Sequence, residues 1–435
     1  MTTAAVGSGT VHVIGAGLAG LAAALSLTAP DAPPAVPLRR RVVVHEAGPL
    51  AGGRCRSWFD RALGVTIDNG NHLLLSGNRA AFAYLDEIGA RDSMGGPDAP
   101  CFPFLDLGSG ERWTLRPNPG RLPWWIACPS RRVPGTRAAD YLRLLALRRI
   151  ADDRSVDAAL PPGPLFSRLI APLAIAALNT PAATGLARLL GAVVRETLMQ
   201  GGAACLPRFP RESLAASLID PAVATLRARG VAFRFGSRVS GLRIEAGRLV
   251  ALEATDGSTG LDPADAAVLA VPPWAAAGLL PGLIVPDAFE AIVNLHFRAV
   301  ADPGPAGFVG LVGGTAEWVF VKPGHVSVTI SAANRLVERP AEELAAAVWP
   351  EVCAALGLTG PLPAFRVVKE KRATFAATAE QDRRRPAAHT GVTNLALAGD
   401  WTATGLPATI EGAIRSGRRA ASVLERKSEA QSSSS

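Results

Sequence analysis

Cysteine is scarce and scattered. The 435 residues hold five, Cys55, Cys101, Cys128, Cys205 and Cys353, far apart and never as CxxC. Such spacing fits neither a metal site nor a disulfide framework and reads as reduced core thiols. Tyrosine is rarer, only Tyr84 and Tyr141. Long apolar runs are missing too. The greasiest window, "LFSRLIAPLAIAALNTPAATGLARLLGAVV", is broken by Arg168, Asn179, Pro181 and Arg188, short of the roughly 18 uninterrupted apolar residues of a spanning helix. A transmembrane helix is therefore not expected. The start, "MTTAAVGSGTVHVIGAG", has no basic n-region and runs straight into a strand; no signal peptide is read, and the cytoplasmic side is expected. Acidic residues fall short of basic ones, 37 against 45 for a net charge of +8. Charge alone leaves nucleic acid and anionic lipid open. No stacking-aromatic or recognition-helix pattern accompanies it, so nucleic-acid binding is not expected.

What the chain has in plenty is apolar surface, with 49% hydrophobic residues against 19% charged. Its length suggests two or three domains. "TVHVIGAGLAGLAAALSL" sets an apolar strand before Gly15, Gly17 and Gly20 in GxGxxG spacing, then an alanine- and leucine-rich helix. The glycines permit a tight turn and close backbone approach, and the helix N-terminus offers N–H groups and a positive dipole end to a pyrophosphate. A second strand in "RRRVVVHEAG" ends in Glu46, placed to hydrogen-bond a ribose hydroxyl. Glu46 follows Gly20 by 26 residues where roughly 20 is usual; the excess is "PDAPPAVPLRRR", read as a surface loop. A nicotinamide dehydrogenase explains these residues equally well.

The cofactor is decided by "AGPLAGGRCRSW", where Gly52, Gly53 and Arg54 follow the acid closely enough for a second glycine turn and a cation to reach the same diphosphate. This segment resembles the GGR of the two-dinucleotide-binding-domain flavoproteins, the superfamily of amine oxidases, phytoene desaturases and protoporphyrinogen oxidases. The resemblance implies FAD. "NLALAGDWTATGLPATIEGAIRSGRRAASVL" carries Gly399 and Asp400 into a helix expected to begin near Pro407. Gly412, Ser416 and Ala420 fall on one i, i+4 line of that helix and Ala413, Gly417 and Ala421 on the next, so small residues permit close packing. By resemblance, Leu18, Ala19, Asn69, Gly70, Asp400, Leu406, Pro407 and Ala408 line the cofactor and Val239 meets the adenine edge. "GVAFRFGSRVSGLRIEAGRLVAL" reads as strands with turns at Gly236, Gly241 and Gly247. The expected fold is α/β: a Rossmann-type FAD domain from 8–100, 201–275 and 386–427, an inserted α+β substrate domain from 101–200 and 276–385, and a disordered tail, 428–435.

Three motifs, "DNGNHLLLSGN" (68–78), "EKRATFAAT" (370–378) and "LAGDWTATGLPATIEGAIRSG", look like the squalene-associated FAD-dependent desaturase-like group, whose assigned activity is hydroxysqualene dehydroxylation in bacterial squalene and hopanoid biosynthesis. One departure is visible: the group usually reads DNGQH, and this chain has Asn71, an amide with a shorter reach. The resemblance implies a proton donor for an allylic hydroxyl, hydride from reduced FAD, exclusion of water and a long apolar cavity. So apolar a substrate is expected to come from a bilayer.

If 68–78 passes the flavin, its polar groups face flavin and hydroxyl while Leu73, Leu74 and Leu75 help wall the tunnel. His72 is the first candidate donor, with its ordinary pKa near 6.5; a core or flavin-packing histidine is the plainer reading. Asp68 is the second candidate or a turn acceptor. Lys322 is a third candidate, near the flavin as a lysine is in amine oxidases, or simply a solvated hairpin-end lysine. Glu370 and Arg372 are candidates for a buried pair. Between Arg121 and Arg149 seven arginines face one acid, Asp140, and "LPWWIACPSRR" sets Trp124, Trp125 and Ile126 among them, a candidate patch for peripheral contact with an anionic membrane on its cytoplasmic face. Competing readings are an oxidative carotenoid or phytoene-type desaturase, an amine oxidase, for which the aromatic frame is thin, and a lipid carrier without chemistry. No second nucleotide fingerprint is apparent, so an unidentified electron donor for FAD is expected, with a separate reductase left open.

Overall fold

The computed structural model describes residues 9–29 and 41–432. The proline-rich stretch ahead of Arg41 lies outside them, so the loop expected there is not described. Five short apolar strands form a parallel sheet in the order Ala232–Phe235, Arg41–Glu46, Thr10–Ile14, Ala266–Leu269 and Leu395–Leu397. Parallel strands covered on both faces must be apolar throughout. Here one face packs on the helices Leu18–Leu27 and Ile410–Ser432, and the other on the antiparallel strands Val239–Glu245 and Arg248–Ala254. The sequence LAGLAAALSL is buried on nearly every side, as a helix held between sheet and second helix requires.

The two helices approach closely. A Cβ on Gly417 would sit 2.1 Å from the Ala19 carbonyl oxygen, so the small-residue line on the C-terminal helix faces the nucleotide-loop helix. That helix begins at Ile410, three residues beyond Pro407, and continues through Ser432, well into the stretch expected to be a disordered tail. Gly236 and Gly247 take left-handed turn conformations, φ 71° and 75°. Gly241 instead lies within a strand, at a register shift against Arg248–Ala254.

A second sheet has seven strands in the order Phe365–Phe375, Phe289–Phe297, His325–Ile330, Trp318–Lys322, Phe308–Val312, Phe102–Asp106 and Arg112–Leu115. All its pairs are antiparallel except Phe308–Val312 with Phe102–Asp106. Its outer face, including Val326, Val328 and Ile330, buries against the helix Ala341–Leu356. Strand alternation then turns Ser327 and Thr329 to the other face.

Candidate active site

One cavity of about 990 Å³ runs between the two sheets. At one end it is lined by Gly15, Gly17, Leu18, Ala19, Glu46, Gly52, Gly53, Arg54 and Val239, and further along by Asn69, Gly70, Gly399, Asp400, Leu406 and Ala408. Gly20 and Pro407 are not among its lining. A Cβ on Gly20 would fall 1.9 Å from the Gly15 carbonyl oxygen, so Gly20 serves the turn itself. Gly15 has φ +107° and a Cβ there would strike the Ala270 carbonyl, whereas one on Gly17 would meet nothing within 4 Å. The bare Gly17 backbone is thus open to a close ligand.

The GGR turn docks directly on this loop: Gly52 N–H donates to the Ala16 carbonyl at 2.9 Å. Glu46 accepts from Ala16 and Gly48 N–H groups at 2.9 and 2.8 Å, and a carboxylate with about four acceptor positions still has room for a ribose. Arg54 donates to Asp400 at 2.6 Å, tying the second glycine motif to the C-terminal one. Asn69 donates to the Arg54 carbonyl at 3.2 Å, while its Oδ1 is buried with no partner among the described residues. Open glycine backbone, a ribose-ready acid and an orphaned acceptor beside the Arg54–Asp400 pair fit a flavin dinucleotide.

The seven-stranded sheet is the cavity floor, and its polarity changes across the strands. Glu370, Arg372, Thr374, Asn294, Thr329 and Ser331 line the cavity from the first three strands, while Trp318, Phe320, Phe102, Phe104 and Leu115 line it from the rest. Gly310 lets Phe104 and Trp318 meet above it, ring centroids 5.6 Å apart. Leu144, Leu147, Leu169, Ile170 and Leu173 close the apolar end.

Residues 68–72 lie across this floor, which explains their polarity. Asp68 accepts from Lys322 Nζ at 2.5 Å, Ser57 Oγ at 2.6 Å and Leu214 N–H at 2.8 Å. Asn294 donates to the Asn69 carbonyl at 3.0 Å, and Asn71 donates to Ser327 and Thr329 at 2.8 and 3.0 Å. The amide of Asn71 is therefore a fastener between segment and sheet.

Two of the three candidate donors change meaning. Burial pushes the Asp68 carboxyl up, but Lys322, Ser57 and Leu214 outweigh it and hold it below the usual range. Asp68 is an ionised, buried anchor that does not line the cavity, and Lys322 is its partner, also off the cavity wall. His72 does line the cavity, with Leu73, Leu74 and Leu75 beside it. Burial pushes its imidazole down to about 4, so at neutral pH it carries no extra proton to give. Glu370 and Arg372 do not pair with each other: Glu370 faces Arg56 and Asn69, and Arg372 stacks over Trp274 at 4.8 Å. The tryptophan pair also splits, Trp124 being 49% exposed and Trp125 3%.

Thr329, Ser331 and Asn294 were not singled out from sequence. The signal was present as the period-2 run "HVSVTIS", whose alternate polar positions give a strand one polar face.

A model of the family described as flavin containing amine oxidoreductase matches residues 18–302 and 321–424. The chain belongs to that family. This flavin-containing amine oxidoreductase is an FAD-dependent oxidoreductase, and it is 49% identical to the hydroxysqualene dehydroxylase of Rhodopseudomonas palustris, over 96% of this chain and 98% of that one. The hydroxysqualene dehydroxylase of Zymomonas mobilis is 44% identical, over 94% and 97%. A probable zeta-carotene desaturase of Synechococcus elongatus matches only 22% of this chain, at 34% identity. Solved structures share the family fold. A putative protoporphyrinogen oxidase from Exiguobacterium superposes with TM-score 0.66 at 16% identity, covering 97% of this chain and all of that one. Cyclohexylamine oxidase from Brevibacterium oxydans gives 0.65 at 16% identity, covering 97% and 100%. Among the described residues no helix is long and apolar enough to cross a membrane.

Proposed function

We propose that this flavoprotein reductively removes the hydroxyl of hydroxysqualene to give squalene, in bacterial squalene and hopanoid biosynthesis. The observation that carries the reading is a continuous cavity that passes from a dinucleotide cradle, over a band of polar side chains, into a leucine- and aromatic-lined tunnel. That order matches a substrate with one functional end and a long hydrocarbon tail. Bound FAD supplies the hydride. The chain supplies the rest. Its nucleotide-end glycines, Glu46 and Arg54 hold the cofactor; Asn71, fastened to Ser327 and Thr329, fixes the segment bearing His72. Neutral His72 and the polar row orient the hydroxyl, and the apolar walls keep water from an allylic cation.

On this reading the apolar end of the cavity is the side that meets the membrane. In the segment Arg143–Arg148, Leu144 and Leu147 point into the cavity while Leu145 is 49% exposed, next to Leu142 at 55%. Trp124 lies nearby through the edge-to-face contact of its neighbour Trp125 with Tyr141, and Arg131 stacks over its ring at 4.6 Å. Peripheral binding to the anionic inner face of the cell membrane, and a separate protein as electron donor, complete the reading.

The test is an anaerobic single turnover: reduce the bound flavin, add hydroxysqualene, and follow flavin reoxidation with product mass. Stoichiometric reoxidation with squalene formation is expected. Flavin that stays reduced, together with bleaching of the oxidised enzyme by a phytoene-like polyene, would instead make the protein a desaturase.

A further inference from the structure

The polar side chains between residues 68–71 and the floor form a hydrogen-bond network whose directions are fixed at two ends by backbone carbonyls, which can only accept. His296 Nε2 lies 3.1 Å from the Asp68 carbonyl, so it carries a hydrogen. Burial pushes this imidazole down to about 3, so the ring is neutral and its Nδ1 is bare. The Ser327 hydroxyl, 3.0 Å away, therefore donates to Nδ1. On the other side Asn294 gives an Nδ2 hydrogen to the Asn69 carbonyl at 3.0 Å, and its Oδ1 accepts the Thr329 hydroxyl at 2.8 Å. Both hydroxyls have then spent their hydrogens and can only accept. Asn71 must turn its Nδ2 to them, at 2.8 and 3.0 Å, which uses both amide hydrogens. Its Oδ1 is left shielded from water, with no partner among the described residues.

Strand register places this acceptor. Residues directly opposite on neighbouring strands share a face. Thr329 and Ser327 have Asn294 and His296 opposite them on one side, and Trp318 and Phe320 on the other. Asn71 is thus fastened where the polar part of the floor ends and the aromatic part begins, and it lines the cavity together with Asn294, Thr329, Trp318 and Phe320. A buried acceptor without a donor costs stability. At this border the fitting donor is a lone O–H on a hydrocarbon chain.

Resting on the dehydroxylase reading, we infer that Asn71 Oδ1 accepts the O–H of hydroxysqualene and makes the site choose an alcohol. The hydrocarbon tail then runs past Trp318 and Phe320, and the substrate oxygen keeps its lone pairs free for the proton it must gain. Squalene has no O–H. The product therefore leaves the acceptor unpaired again and is held less tightly than the substrate, which favours its release.

The test is binding to the oxidised holoenzyme, which has no hydride to give, of hydroxysqualene, its O-methyl ether and squalene in one detergent, followed by flavin absorbance. Wild type is expected to prefer the alcohol to either analogue by about tenfold to a hundredfold. In Asn71→Leu the preference shrinks to about threefold or less, because the alcohol loses affinity and squalene does not. A side chain that only fastened the segment would weaken all three ligands alike; a variant that does so with its preference intact overturns the assignment. Infrared difference spectra of wild type, isotope-labelled at its asparagine amide carbons, give a readout that needs no variant. The alcohol moves an amide carbonyl band to lower frequency, and the ether and squalene leave it in place. A band unmoved by the alcohol, or wild-type affinities equal for all three ligands, overturns the assignment. So does Asn71→Leu that shifts the flavin potential of the ligand-free protein and keeps the preference, which would give the acceptor to the flavin. In each of these cases squalene formation by the flavin-reduced enzyme leaves the dehydroxylase reading standing, and its absence overturns both.

Discussion

Asp68 and Lys322 lie 254 residues apart in sequence and 2.5 Å apart in space, both inside the protein. Removing one buried partner strands the other's charge, so Lys322→Met is expected to lower stability by about 3–5 kcal/mol. Adding Asp68→Asn to that variant should restore most of the loss, a coupling that urea unfolding of the two singles and the double would show. A Lys322→Met protein with the wild-type midpoint would mean the pair holds nothing. The sign with pH follows from the depressed carboxyl: between its folded value and its ordinary 3.8 the unfolded chain binds more protons. The contribution is therefore full at neutral pH and lost as pH falls through the folded value. Sequence could mark Asp68 and Lys322 as unusual, but their pairing depends on which strands meet, and no local pattern carries that.

Where a helix must touch another at backbone distance, one methyl group is a sensitive probe. Gly417→Ala raises helix propensity yet places a carbon 2.1 Å from the Ala19 carbonyl oxygen. The C-terminal helix must then move off the helix Leu18–Leu27 that follows the glycine loop. The expected result is a loss of about 1–3 kcal/mol with weaker retention of FAD, read by thermal unfolding and by flavin absorbance after gel filtration. Unchanged flavin content and melting would show that the contact relaxes freely. The elements around this contact were legible in sequence because backbone constraint is written locally: glycines in GxGxxG, an acid after the second strand, a small-residue stripe. The seven-stranded floor was less legible. Its strands are drawn from 102–115 and 289–375, and which face meets the cavity is set by the helix covering Val326, Val328 and Ile330 on the other side.

Taken whole, the molecule has one end built for a charged dinucleotide and another that exposes Leu122, Trp124, Leu142 and Leu145 among arginines. The sequence marked this region by charge and tryptophan, but which side chains face outward had to come from the fold, since Trp125 and Ile126 turn inward. On the proposed membrane contact, these apolar side chains would let a hydrocarbon pass from bilayer to cavity without crossing water, and the arginines would draw this face to anionic headgroups. The holoenzyme is accordingly expected to cosediment with phosphatidylglycerol vesicles, weakly with phosphatidylcholine ones, and less as salt rises. Trp124, Leu142 and Leu145 are about half exposed, 49%, 55% and 49%, so replacing all three by serine also removes some packing and the Arg131 stack on Trp124. In the fraction that stays folded and flavin-loaded, vesicle affinity should drop on the order of tenfold to a hundredfold. Turnover of vesicle-borne hydroxysqualene should fall with it, and turnover of detergent-dispersed substrate should not. Equal loss on both would place these side chains in the cavity wall and overturn the membrane contact.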